Sequence, residues 1–339
     1  MKANKSLYTI AEIGQAHEGS LGMLYAYIDA IAETGVDAVK FQTHIAEAES
    51  SEHEPFRVKF SKQDKTRYAY WERMSFTKEQ WIDIGAYTRS KGLDFISSPF
   101  SNAAVEVLEA AHVDCYKIGS GEVTNLLLLE KVSQSGKPVI ISSGMSSYQE
   151  LDAAVHFLLD REVKLSILQC TTAYPTRPEH YGLNIIQELQ KRYPKLEIGF
   201  SDHSGSLSAG IAAVTLGAQI LEFHVVFHKA MFGPDVKASL TLEEATDFVR
   251  YCKEVSVAIA HPVDKFDNEQ FSELKSIFEK SLAVNKDLPE GHLLTFEDLE
   301  AKKPKGYGMD ANQFEKVIGQ RLIYSMKAWS FLKHNNISW

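Results

Sequence analysis

Cysteine is scarce in this chain: Cys115, Cys170 and Cys252 are the three in 339 residues. An odd number, widely spaced and without a CxxC pair, argues against a disulfide framework or a thiolate metal site. It reads instead as reduced thiols in a cytoplasmic protein. Long apolar runs are missing too, with nothing near the ~18 residues of a membrane span. The opening MKANKSLYTI has no apolar signal core, so neither a membrane nor a secretory route is expected. Positive charge is in deficit, with 36 Lys and Arg against 45 Asp and Glu, a net −9. A general nucleic-acid binder needs a basic face, so no nucleic-acid partner is expected. Any anionic ligand must be held by a few local cations. There is no internal repeat of 20–50 residues and no low-complexity tract.

What is present is a core-forming composition, 44% hydrophobic, in a chain longer than one ordinary domain. Short β-rich runs begin near Leu7, Asp37, Asp94, Cys115, Pro138, Lys164, Glu197 and Ile220. They alternate with amphipathic stretches such as LGMLYAYIDAIAETG and SYQELDAAVHFLLD. Thr77 with Gln80, and Ser147 with Glu150, have capping-box spacing at helix starts. Eight alternations in about 260 residues predict an α/β (β/α)8 barrel, the TIM barrel, over residues 1–260. An open doubly wound sheet is the competitor, but no glycine-rich dinucleotide loop follows the first strand. Residues 261–280 read as a connector with a helix. Residues 281–339, with short strands and turns, read as a small β-rich module. The stretch from Thr43 to Phe76 is long, charged and aromatic, as lids and binding loops are.

Barrel chemistry sits at the C-terminal ends of the strands, and all eight runs end in polar groups there. Strand one ends near Glu12, followed by His17 and Glu18. The next runs supply Lys40 and Gln42, then Ser98, then Lys117, Ser120 and Glu122. The last four bring Ser142, then Thr172 and Tyr174, then Ser201 and His203, then Glu222 and His224. Imidazoles at adjacent strand ends can share a divalent ion, although each alone could be a hydrogen-bonded core histidine. Lys40 and Lys117 interrupt apolar strands, where a charge is costly unless paired. They form either internal salt bridges with Glu12 or Glu122, or an anion site with Ser98, Ser120, Ser142 and Ser201. Asp235, in the turn GPD, and the carboxylates Glu18 and Glu122 are solvated turn residues or groups that meet sugar hydroxyls and move protons.

In this order AEIGQAHEGS, VKFQTH, ISSPFS, YKIGSGE, ISSGM, CTTAYPT, FSDHS, LEFH and GPDVKASL resemble the sialic acid synthase family. That family includes the N-acetylneuraminate, legionaminate and pseudaminate synthases. The resemblance runs from Tyr8 to Ile337, and Ser281–Trp339 is similar to the family's antifreeze-like (SAF) domain. It implies condensation of phosphoenolpyruvate with an N-acetylated hexosamine to a nine-carbon 2-keto sugar acid and phosphate. It also implies a divalent metal on His203 and His224, manganese first, with magnesium or cobalt as alternatives. Phosphoenolpyruvate would meet Lys40, Ser98, Lys117, Ser120, Ser142 and Ser201. Gln42, Thr172, Tyr174 and Asp235 would face the sugar, while Glu18, then Glu122, would position or deprotonate a water. A domain-swapped homodimer is implied, with Lys303 near the partner's sugar. Departures fall on the sugar side: Ala16 where the family has Asn, Thr172 where sialic acid synthases have Asn, Phe223 at a basic position, and Lys303 where Lys-Arg-Pro is usual. Rival readings are a metal-dependent barrel hydrolase or isomerase acting on a sugar, or a non-catalytic sugar-binding protein. The hydrolase wants more metal ligands, and the binding protein leaves both lysines and both histidines idle.

Overall fold

A computed structural model describes residues 7–339; residues 1–6, most of MKANKSLYTI, lie outside it. The chain divides into two compact units, one reaching to His261 and the other spanning Pro262–Trp339.

In the first unit eight parallel strands close on themselves: β1 (Tyr8–Glu12), β2 (Ala38–Thr43), β3 (Asp94–Pro99), β4 (Cys115–Ile118), β5 (Val139–Ser142), β6 (Leu165–Cys170), β7 (Glu197–Asp202) and β8 (Ile220–Val226). Each pairs with the next and β8 pairs with β1, so the sheet is a TIM barrel without free edges. A two-residue β9 (Leu240–Thr241) adds to β8. Helices connect the strands: α1 (Leu21–Ala32), α2 (Ala46–Glu49), α3 (Arg67–Met74), α4 (Lys78–Ser90), α5 (Asn102–Ala110), α6 (Leu126–Ser133), α7 (Tyr148–Leu159), α8 (Asn184–Arg192), α9 (Leu207–Thr215) and α10 (Leu242–Ala260). Thr77 and Ser147 each close a full capping box, at α4 and α7. Gly210 of α9 is an obligatory close approach, because a Cβ there would come within 2.1 Å of the Phe248 ring on α10. No helix among the described residues is long and apolar enough to cross a membrane.

The strand period of two explains where the polar groups go. Successive side chains alternate between the helical shell and the barrel interior. Along β1 the series Tyr8, Ile10, Glu12 shares one face; along β8 the series is Ile220, Glu222, His224. One layer of the interior is apolar, built from Ile10, Ala38, Ile96, Cys115, Ile140, Leu168 and Ile220. One step further along each strand stand Glu12, Lys40, Ser98, Lys117, Ser142, Cys170 and Glu222, all buried. The apolar layer is thus a dry floor under a polar one.

The second unit opens with a 3-10 turn at Glu269–Phe271 and α11 (Ser272–Phe278). It continues through two antiparallel pairs, β10 (Ser281–Val284) with β11 (Leu299–Lys302) and β12 (Arg321–Leu322) with β13 (Ile337–Ser338), and a short α12 (Phe314–Val317). Its own core includes Leu282, Val284, Leu294, Met309, Leu322 and Leu332.

Candidate active site

Barrel register brings the polar layer together. Glu12 lies beside Lys40 on β2 and beside His224 on β8, and Ser201 lies beside Glu222. Lys40 Nζ is 2.8 Å from Glu12 Oε1 and 3.3 Å from Glu222 Oε1. Lys117 Nζ donates to Ser142 Oγ at 2.6 Å and to Glu222 Oε1 at 3.2 Å. The two lysines are therefore paired with Glu12 and Glu222. Glu122 takes no part, since its carboxylate accepts from Asn125. Burial pushes both Glu12 and Glu222 up, but cationic neighbours outweigh it and hold them ionised. Burial likewise pulls Lys40 down, and Glu12 and Glu222 more than restore it.

Pairing does not remove the lysines from the cavity. Lys40, Lys117, Ser98, Ser120, Ser142, Ser201 and Thr172 all line an inner chamber of about 300 Å³, with His203 and His224. Two buried oxygens there have no hydrogen-bond partner, Ser120 Oγ and Glu222 Oε2. Orphaned polar atoms lining a cavity are positioned to bind a polar ligand.

Glu12, His203 and His224 offer three buried ligand atoms within 4.8 Å of one another. His203 Nδ1 donates to the Thr171 carbonyl at 2.7 Å, because a carbonyl can only accept. That fixes the tautomer and leaves Nε2 with its lone pair, as a metal-ligating imidazole requires. Burial lowers the His224 pKa, whereas at His203 the Cys170 thiol and Glu12 outweigh burial and raise it. A carboxylate and two imidazoles suit a divalent cation. Glu12 went unrecognised as part of this group because its partners sit on other strands. The signal was an ionisable residue at the inward position of an otherwise apolar strand.

An outer chamber of about 310 Å³ shares Gln42, Arg57, Phe100, Tyr174 and His224 with the inner one and adds Glu122 and Asp235. Tyr174 packs 4.1 Å from the His203 ring, and Arg57 lies over Tyr174 while donating to Asp235 Oδ1 at 2.8 Å. The Gln42 amide is held from both sides: its Nε2 donates to Glu12 Oε1 at 2.7 Å, and its Oε1 accepts from Gln15 Nε2 at 2.9 Å. His44, stacked between Trp71 (3.8 Å) and Phe100 (4.5 Å), bridges Gln42 and Glu49.

Glu18 is not among the residues lining either chamber. Its Oε2 accepts from Arg73 at 3.1 Å, and its buried Oε1 faces Gly233 without a partner. Arg73 also holds Asp64 and the Glu18 carbonyl, tying α3 to the turn after β1. Gly19 is essential to that turn: at φ +76° a Cβ would meet the Arg73 carbonyl at 2.3 Å. His17 Nδ1 accepts from the Gly19 N–H at 3.0 Å, which makes it a brace of the turn. Lys303 belongs to the second unit, where it lies over the Phe278 ring.

The family model matching this chain is the NeuB family, over residues 27–264. N-acetylneuraminate-9-phosphate synthase of Homo sapiens is 34% identical over 94% of this chain and 89% of that protein. N,N'-diacetyllegionaminic acid synthase of Campylobacter jejuni is 29% identical over 93% of this chain and 96% of that protein. Among solved structures, N-acetylneuraminic acid (sialic acid) synthetase from Leptospira borgpetersenii, in complex with citrate, has a TM-score of 0.70 at 26% identity. It covers 80% of this chain and 90% of its own.

Proposed function

The chain belongs to the NeuB family, and on that premise we propose that it condenses phosphoenolpyruvate with an N-acylated hexosamine to a nine-carbon 2-keto sugar acid. The observation that carries this is the inner chamber: two buried lysines, four serines and two orphaned oxygens beside the Glu12–His203–His224 group. Lys40 and Lys117 bind the carboxylate and phosphate of phosphoenolpyruvate, with Ser98, Ser120, Ser142 and Ser201 donating hydroxyls. Gln42, Tyr174 and Asp235 orient the open-chain sugar in the outer chamber, and Thr172 meets it from the inner one. A divalent ion, manganese first, would be held by His203 and His224 with Glu12 beside them and would supply Lewis-acid polarisation of the sugar aldehyde.

The new bond joins C3 of phosphoenolpyruvate to the aldehyde carbon. Positive charge then develops at C2, water adds there, and the tetrahedral intermediate expels phosphate to leave the ketone. Glu122 faces the outer chamber and is the better placed carboxylate to orient that water. Glu18 supports the Gly233–Asp235 turn from behind. Residues 281–339 act as an antifreeze-like domain that reaches a partner barrel in a swapped homodimer, bringing Lys303 to the partner's sugar. Phosphate release from phosphoenolpyruvate tests the reading, with manganese and a panel of N-acylated hexosamines. Release with at least one sugar is expected, and none with any would overturn it.

A further inference from the structure

The His44 ring is bonded in a way that the bond-forming step does not explain. Its Nε2 lies 3.2 Å from Gln42 Oε1, and its Nδ1 lies 2.5 Å from Glu49 Oε1. The Gln42 amide cannot be turned over, because the ionised Glu12 carboxylate, 2.7 Å from Gln42 Nε2, can only accept. Oxygen therefore faces His44, and the ring nitrogen opposite it must be an N–H. The Glu49 carboxylate also only accepts, and its second oxygen takes the Ile45 N–H at 3.3 Å. Both ring nitrogens thus donate, which only an imidazolium does.

The surroundings suit that charge. The residue is 3% exposed, where an unpaired cation would be costly, and Glu49 supplies the counter-charge. Trp71 and Phe100 stack on the ring with interplanar angles of 16° and 7°, so the charge meets two aromatic faces. The other charged or titratable groups near it are few. Glu54 and Arg67 gather about the Trp71 indole and pair with each other at 2.8 Å, and burial keeps the His17 ring neutral.

The consequence falls on Gln42. Its Oε1 accepts from Gln15 and His44, which fills both lone pairs, and one amide hydrogen goes to Glu12. The amide lines both chambers, and it shows a ligand one N–H and no acceptor. We propose that His44, held as an imidazolium by Glu49, is a positioning residue that fixes Gln42 as a pure donor toward an oxygen of the sugar. The sugar-facing part rests on the proposed reaction; the charge on the ring does not.

Two measurements on the full-length protein test this. The first is nitrogen-15 NMR of histidine-labelled protein at neutral pH, with magnesium in place of paramagnetic manganese. One ring should carry two protonated nitrogens in the parent and a single one in Glu49→Gln, whose amide can donate to a bare Nδ1. No ring making that change would overturn the proposal. The second is steady-state phosphate release with the best accepted sugar. His44→Phe keeps the aromatic stack, and His44→Leu replaces it if that chain does not fold. The sugar KM should rise about tenfold, the worth of one charge-assisted hydrogen bond, with the phosphoenolpyruvate KM within about twofold of the parent. An unchanged sugar KM in a variant with a parent-like cooperative melt would overturn the positioning role. No phosphate release by the parent would overturn the synthase reading and the sugar-facing part with it, and the NMR result would still decide the charge.

Discussion

The two chambers share a wall but are built on different physics. The inner one is rigid strand: Lys40, Lys117, Glu12 and Glu222 are each 2–4% exposed, and the charges compensate one another before any ligand arrives. The outer one is largely loop and short helix, drawn from the residues between β2 and α4, and its Arg57 side chain is 47% exposed. A buried pair is costly to break because the survivor is stranded, whereas an exposed pair contributes ~0–1 kcal/mol. The inner chamber should therefore be intolerant and common to the reaction, and the outer one tolerant and selective.

The sharpest way to break this contrast is the metal group. Chelation should abolish turnover, manganese should restore it, and His203→Ala should lose calorimetric metal binding while keeping its cooperative melt. Full activity in chelator would remove the assignment. Next is Lys117→Met, which leaves Glu222 with Lys40, 3.3 Å away, as its remaining cation. It should lower phosphoenolpyruvate kcat/KM by about a thousandfold and cost ~1–3 kcal/mol of stability by denaturant unfolding. Adding Glu222→Gln should recover most of the stability and none of the activity, a non-additivity that a simple cavity would not give.

A third test is titration. Burial first, then His44 and Arg73, pull His17 down to about 3 from its ordinary 6.5. The unfolded chain thus binds a proton that the folded one refuses as pH falls from 6.5 toward 3. Stability should fall over that window by up to about 1.4 kcal/mol per unit. His17→Asn, which keeps an acceptor for the Gly19 N–H, should flatten the fall in pH-dependent urea unfolding. The mildest effects belong to the outer chamber. Arg57→Ala should raise the sugar KM several-fold, with stability and phosphoenolpyruvate KM nearly unchanged. Lys303→Ala should do the same if the swapped dimer forms, and a mixed dimer of Lys303→Ala with Lys117→Met chains should regain one working site.

Much of the barrel was legible because period and punctuation are local. The observed strands begin within one residue of the apolar runs, and Thr77 and Ser147 cap the helices they were expected to cap. The inward-facing polar positions could likewise be read off strand by strand. What could not be read was who stands beside whom. That Lys40 meets both Glu12 and Glu222 depends on the register of a closed barrel, in which β1 touches β8. For that reason the sequence offers Glu12 and Glu122 as possible partners of the lysines, and the structure gives Glu12 and Glu222. Arg57 reaching Asp235, and Arg73 reaching Glu18, join positions far apart in the chain, and no local pattern encodes such pairs. The displacement of Glu18 behind the Gly233 turn has the same origin.

The alternation along β1 bears on how such a chain can diversify. Deleting one residue before Glu12 would shift the strand by one position and turn Glu12 into the helical shell. In its place an aliphatic side chain would face His224. Strands of the barrel can therefore drift by substitution but hardly by insertion or deletion. The loop from Thr43 to Phe76 obeys no such parity, since lengthening a surface loop costs little closure entropy. Length variation there would let descendants of this chain exchange one acceptor sugar for another while every inward-facing donor on the strands stays in register.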